Sequence, residues 1–146
     1  IYDSTYKFEI GKGNIVRQGS DAVIFATGSL VQESLIAAEI LQKESISTTV
    51  VNISSLKPLD EALIIAESRR HIAVITAEDH NIIGGLADAV CQTLVNHQIS
   101  KPFKAIAVRD HFAETGSGSE LYEKYGLSSN HIIKAVKDTL TLKKAN

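Results

Sequence analysis

The sequence predicts an α/β protein: a three-layer α/β/α sandwich around a mainly parallel five-stranded sheet, with one antiparallel edge strand. Three observations carry this. Five short apolar runs recur along the 146 residues. Beyond the second run, each neighbouring pair is separated by a stretch of ten or more residues with helical periodicity, the length a right-handed crossover between parallel strands requires. The first two runs are separated only by "QGSD", residues 18–21. That is too short for a crossover, so these two are antiparallel or lie apart, and the first belongs at an edge.

Each element has a local cause. "NIVR" (14–17) is a short extended segment after "GKG", and "AVIFAT" (22–27) is a near-continuous apolar run closed by Gly28, as expected of a strand buried on both faces. Ser29 with Gln32 forms a capping-box pattern. Leu35, Ala38, Ile40 and Leu41 then lay a helical stripe through residues 32–44. "TTVVNI" (48–53) is β-branched and ends at the turn "SSLKP", after which Asp60 is placed to cap "EALIIAESRR". "HIAVITAE" (71–78) and "FKAIAV" (103–108) are the fourth and fifth strands, with the helical pattern "GGLADAVCQTLVNHQ" between them. A loop follows, with Ser119 as expected cap of "ELYEKY" and Gly126 as its stop. "SSNHIIKAVKDTLTL" is a final amphipathic helix with lysines late in it, Lys143 and Lys144 following directly.

Composition excludes several classes. With 44% hydrophobic residues, the chain can bury one core, which sets the expected domain count at one, spanning 1–146. A net charge of −2, with both signs spread along the chain, provides no basic stripe for nucleic acid. Cys91 is the single cysteine, so no internal disulfide forms and no zinc-type cysteine cluster exists; a cytoplasmic protein is expected. No run approaches the ~20 apolar residues of a membrane span, and "IYDSTYKFEI" does not have the layout of a signal peptide. The chain contains no methionine and starts at Ile1, which reads as a piece of a longer protein.

Open parallel sheets collect ligands at the carboxyl ends of their strands, which places the candidate chemistry in "TGS", "EDHNIIGG" and "RDHF". Asp79–His80 and Asp110–His111 could stand together if the fourth and fifth strands are neighbours. They could then hold a metal or a histidine base; the plainer expectation is local turn capping by the acids. No histidine lies within four residues of another, which argues against a short-range metal pair. Gly84–Gly85 opening a helix suggests small-anion binding on its free N–H groups, against a purely conformational use as positive-φ or close-approach positions. Neither dinucleotide nor P-loop fingerprint is present, and no G-x-S-x-G surrounds a serine. Cys91 falls on the apolar stripe of its helix.

Longer matches add a resemblance. "GKGNIVRQGSDAVIFATGSLVQESLIAAEIL" (11–41), "SSLKPLD" (54–60), "AEDHNIIGGLADAV" (77–90) and "YGLSSNHIIKAV" (125–136) together resemble the C-terminal domain of transketolase, over nearly the whole chain and in order. The same domain recurs in deoxyxylulose-phosphate synthase and in the β chain of 2-oxoacid dehydrogenases such as pyruvate dehydrogenase. The resemblance implies a parent enzyme that transfers two-carbon ketol units between sugar phosphates, using thiamine diphosphate and a divalent metal, Mg²⁺ or Ca²⁺. It also implies that those ligands lie in preceding domains, in the same polypeptide or a separate subunit, within a homodimer. No catalytic, cofactor-binding or metal residue is then carried onto this chain. Asp79, His80, Gly84, Gly85, Asp110 and His111 remain as candidate interface or anion-binding residues.

Overall fold

A computed structural model describes residues 1–3 and 5–142; Lys143 and Lys144 lie outside them. The strands are β1 (Asn14–Arg17), β2 (Ala22–Ala26), β3 (Thr48–Asn52), β4 (Ala73–Asn81) and β5 (Phe103–Val108). The helices are α1 (Leu30–Lys43), α2 (Glu61–Arg70), α3 (Leu86–Asn96), α4 (Gly118–Lys124) and α5 (Ser129–Leu142). The sheet runs in the order β1-β3-β2-β4-β5. Every pairing is parallel except β1 with β3. The two strands joined by "QGSD" therefore lie apart, with β3 between them, and β1 is the antiparallel edge.

The alternation of β2 divides the core. Ala22, Ile24 and Ala26 face a cluster with Leu30, Ala37 and Leu41 of α1 and Ile132 and Val136 of α5. Val23 and Phe25 face Ile64 of α2 and Leu86, Val90 and Leu94 of α3 on the opposite side. Both faces of β2 are covered, which is why its sequence carries no polar alternation. Each fully buried Val, Leu, Ile or Phe side chain among them contributes about 1.5–3 kcal/mol.

Helix ends follow local chemistry, with two departures from the sequence reading. Asp60 Oδ1 accepts the Leu63 N–H at 3.2 Å and caps α2 as expected. Ser29 makes no capping bond to α1, because its hydroxyl points across the sheet instead. Ser119 lies inside α4; the residue preceding that helix is Ser117. At the other end of α4, Leu127 N–H bonds Tyr122 O and Gly126 N–H bonds Glu123 O, a Schellman closure that turns the chain into α5.

Candidate functional site

Chain direction defines the site. Leaving β2, the chain passes to α1 on one face; leaving β4, it passes to α3 on the other. The crevice between the carboxyl ends of β2 and β4 is thus the switch point of the sheet, where open α/β proteins place ligands. Residues 27–29 border it on one side and Glu78–Asp79 on the other. β4 also starts two residues later than the apolar run suggests, with His71 ending α2. It continues through Asp79 and His80 to Asn81, with a register irregularity between Ala77 and Asn81.

Glu78 is the most buried acid at this rim, with no solvent exposure. Its side chain falls on the α2–α3 face, since Glu78 shares the parity of Val74. Oε2 accepts the Leu86 N–H at 2.7 Å and Oε1 the Ala87 N–H at 2.9 Å. The first turn of α3 is therefore closed by a carboxylate from the preceding strand, where the helix dipole favours negative charge. Burial nevertheless pushes the Glu78 carboxyl above its ordinary range; the two N–H bonds and the nearby His80 oppose that shift.

The two glycines serve different ends. Gly84 has φ +76 with open space around it, and its N–H bonds Asp88 Oδ2 at 2.6 Å. Gly85 has an extended backbone, but a Cβ there would collide with Glu78 Oε2 and with the Asn81 carbonyl. Positive φ and close approach both occur, one at each position. A small anion placed on this helix end would meet the carboxylates of Glu78 and Asp88, which already take the Gly84, Leu86 and Ala87 N–H groups.

Asp79 turns away from β5. Its Oδ2 accepts the Ser29 hydroxyl, and Ser29 Oγ in turn accepts the Tyr122 hydroxyl, so three elements are linked across the mouth of the crevice. Asp110 takes a different partner, accepting the Asn81 side-chain amide at 3.0 Å. His111 bonds the Arg109 carbonyl at 3.0 Å and lies against Tyr125, with ring centroids 5.0 Å apart; His80 is exposed. Strands β4 and β5 are neighbours, but they do not bring the two Asp-His pairs into one cluster. Among the described residues no group of three or more His, Cys, Asp or Glu converges as a metal site would require. Cys91 is half-buried and its thiol is pushed up by desolvation, so it is a poor nucleophile.

The donor set does not fit thiamine diphosphate. The N–H groups that could hold a diphosphate are bonded to Glu78 and Asp88, and the acids that could hold its metal face different ways. The sequence alone gives Glu78 no role and does not reveal the links from Ser29 and Tyr122. The available signal was an acid ending an apolar strand eight residues before a glycine-led helix.

The family model of the transketolase C-terminal domain matches residues 11–132. The chain belongs to the transketolase C-terminal domain family. It is 39% identical over 137 residues to a transketolase family protein from Sinorhizobium fredii, covering 92% of this chain and 40% of that one. It is 41% identical over 136 residues to a 1-deoxy-D-xylulose-5-phosphate synthase from Syntrophotalea carbinolica, covering 93% of this chain and 22% of that one. A solved split-gene transketolase, described as an inactive β4 tetramer, superposes with a TM-score of 0.91 at 38% identity, covering 97% of this chain and 46% of that one. The transketolase C-terminal domain thus spans less than half the length of each of these relatives.

Proposed function

We propose that this transketolase C-terminal domain is the assembly domain of an enzyme that transfers two-carbon ketol units between sugar phosphates. Thiamine diphosphate and its Mg²⁺ or Ca²⁺ are held by preceding domains, in the same polypeptide or a separate subunit, and the working enzyme is a homodimer. A cytoplasmic setting belongs to the same reading. The supporting observation is the state of the rim: the polar groups at its switch point bond to one another, Glu78 to α3, Asp79 to Ser29 and Ser29 to Tyr122, instead of converging on a vacant position. Such a surface suits contact better than chemistry.

Calorimetric titration tests this reading. Thiamine diphosphate with Mg²⁺ should give no saturable heat with the chain alone, and should bind once the preceding domains are joined to it. Binding by the chain alone at micromolar affinity would refute the assembly role.

A second reading is the C-terminal domain of a 1-deoxy-D-xylulose-5-phosphate synthase, favoured by the 41% identity to such an enzyme. The two differ in the donor consumed: a ketose phosphate for transketolase, a 2-oxoacid for the synthase and for the 2-oxoacid dehydrogenases. Turnover of xylulose 5-phosphate against pyruvate by the joined protein separates them.

A further inference from the structure

We propose that the groove between the outer edge of β5 and α5 binds a small polyhydroxylated phosphate, the chemistry of a sugar phosphate, at a site separate from the switch point. Unlike the rim, this groove keeps its charged groups unpaired.

β5 is the outer strand on the side away from β1. Lys104 shares the parity of Ile106, which packs toward α5. Opposite it, His131, Lys134 and Asp138 recur at helical spacing on one stripe of α5 and, with Arg109 beyond the strand, line a groove of about 290 Å³. Lys104, Arg109 and Lys134 thus bring positive charge from strand, loop and helix to one place, on a chain of net charge −2. Lys124 and Lys137, by contrast, pair with Glu114 and Glu44. Among the described residues none of the three groove cations makes an ion pair, although Asp138 stands one turn from Lys134. Like charges gathered in one groove repel, and an anion between them removes that cost.

Arg109 has a fixed direction. Its Nη2 donates to the Ala105 carbonyl at 3.2 Å, which lays the guanidinium along the strand edge with other N–H groups left for a ligand. A guanidinium so held suits the paired oxygens of a phosphate. The groove also carries acceptors. The Ser128 hydroxyl has a single proton, which goes to Glu123 Oε2 at 2.7 Å, so its oxygen must accept from His131 Nδ1 at 2.8 Å. Neutral His131 is therefore left with Nε2 as an acceptor. The Asp138 carboxylate is unbonded among the described residues; its main-chain carbonyl takes the Thr141 hydroxyl. Cations for a phosphate beside acceptors for hydroxyls define the ligand class. Inorganic phosphate would leave the acceptors unused and face the Asp138 charge, and a neutral sugar would leave the cations unused.

The test titrates fructose 6-phosphate into the chain while backbone amide shifts are recorded by NMR, beside inorganic phosphate and fructose. Saturable shifts should centre on residues 104–109 and 131–138, at about millimolar affinity for so open a groove. Inorganic phosphate should bind about tenfold more weakly, and fructose should not saturate. Lys104→Gln with Lys134→Gln should weaken fructose 6-phosphate about tenfold or more, with β2 shifts unchanged as the check on folding. Asp138→Ala should close the gap between the two phosphates by favouring the inorganic one. Equal affinity for both in the unsubstituted chain would reduce the groove to a general anion patch and overturn the proposal. So would shifts centred on residues 78–88, or no saturable shift at all. Each of these failures leaves the assembly reading standing, since that reading concerns thiamine diphosphate and the preceding domains.

Discussion

The Glu78 carboxylate occupies the place a side chain on Gly85 would need, and it is this close approach that lets one acid close the first turn of α3. Gly85→Val should therefore expel the carboxylate and leave the Leu86 and Ala87 N–H groups unpaired. Each buried unpaired group costs about 1–3 kcal/mol, so a total of at least about 2 kcal/mol is expected. Thermal denaturation should show a fall of about 4–8 °C for a domain of this size. Gly84→Ala has open space and only the positive φ to meet, at about 1–2 kcal/mol, and should be the milder change. The reverse order would mean that φ, not space, governs this turn.

Glu78 also predicts a pH dependence. Its folded carboxyl titrates above the ordinary carboxylate value of about 4.3, so between those two points the folded state holds the extra proton. Its contribution to stability is fully present below the unfolded value and is lost as pH rises through the folded one. Glu78→Gln removes this titration. In urea unfolding from pH 4 to 8, the stability of the unsubstituted protein relative to the variant should rise as pH falls. A difference that grows with rising pH would show that the N–H bonds outweigh burial.

Two helices end on residues strained in the left-handed region. Ser45 (φ 61) follows α1 and Gln98 (φ 54) follows α3, each at the position where helices favour glycine. Ile46 N–H to Leu41 O and Ile99 N–H to Leu94 O complete the same closure that Gly126 makes after α4. Ser45→Gly and Gln98→Gly should each stabilise by about 1 kcal/mol, the relief of the left-handed penalty less the entropy of a freer unfolded chain. Chemical denaturation reads this directly as a raised midpoint; a lowered midpoint in both would contradict the geometry.

Much of the architecture was legible from the sequence, because strands covered on both faces read as unbroken apolar runs and the helices carry complementary stripes. The partner of β1 was not: "QGSD" excludes a crossover but does not say that β3 inserts between β1 and β2. Nor was the fate of Ser29, whose spacing to Gln32 fits a capping box while its hydroxyl serves Asp79 fifty residues away. Glu78 escaped for a related reason. Its partners follow after a turn, and only the close approach of Gly85 aims the carboxylate at them. Local patterns fix elements; contacts across the rim depend on the order of strands.

Tyr122 tethers α4 to the crevice, and no residue of that helix is buried. Tyr122→Phe should leave global unfolding within about 0.5 kcal/mol, as for other surface changes, while limited proteolysis between residues 109 and 124 quickens. Equal cleavage rates would show that α4 is held by the packing of Tyr122 and Tyr125 on the core and not by the hydroxyl bond.

The assembly role is tested most directly by complementation of catalysis. Formation of 1-deoxy-D-xylulose 5-phosphate is measured for three samples: this chain, the Syntrophotalea synthase lacking its matched section, and the two joined in one polypeptide. The account predicts turnover by the joined protein alone. Turnover by this chain without a partner, or full turnover by the truncated synthase, would contradict it.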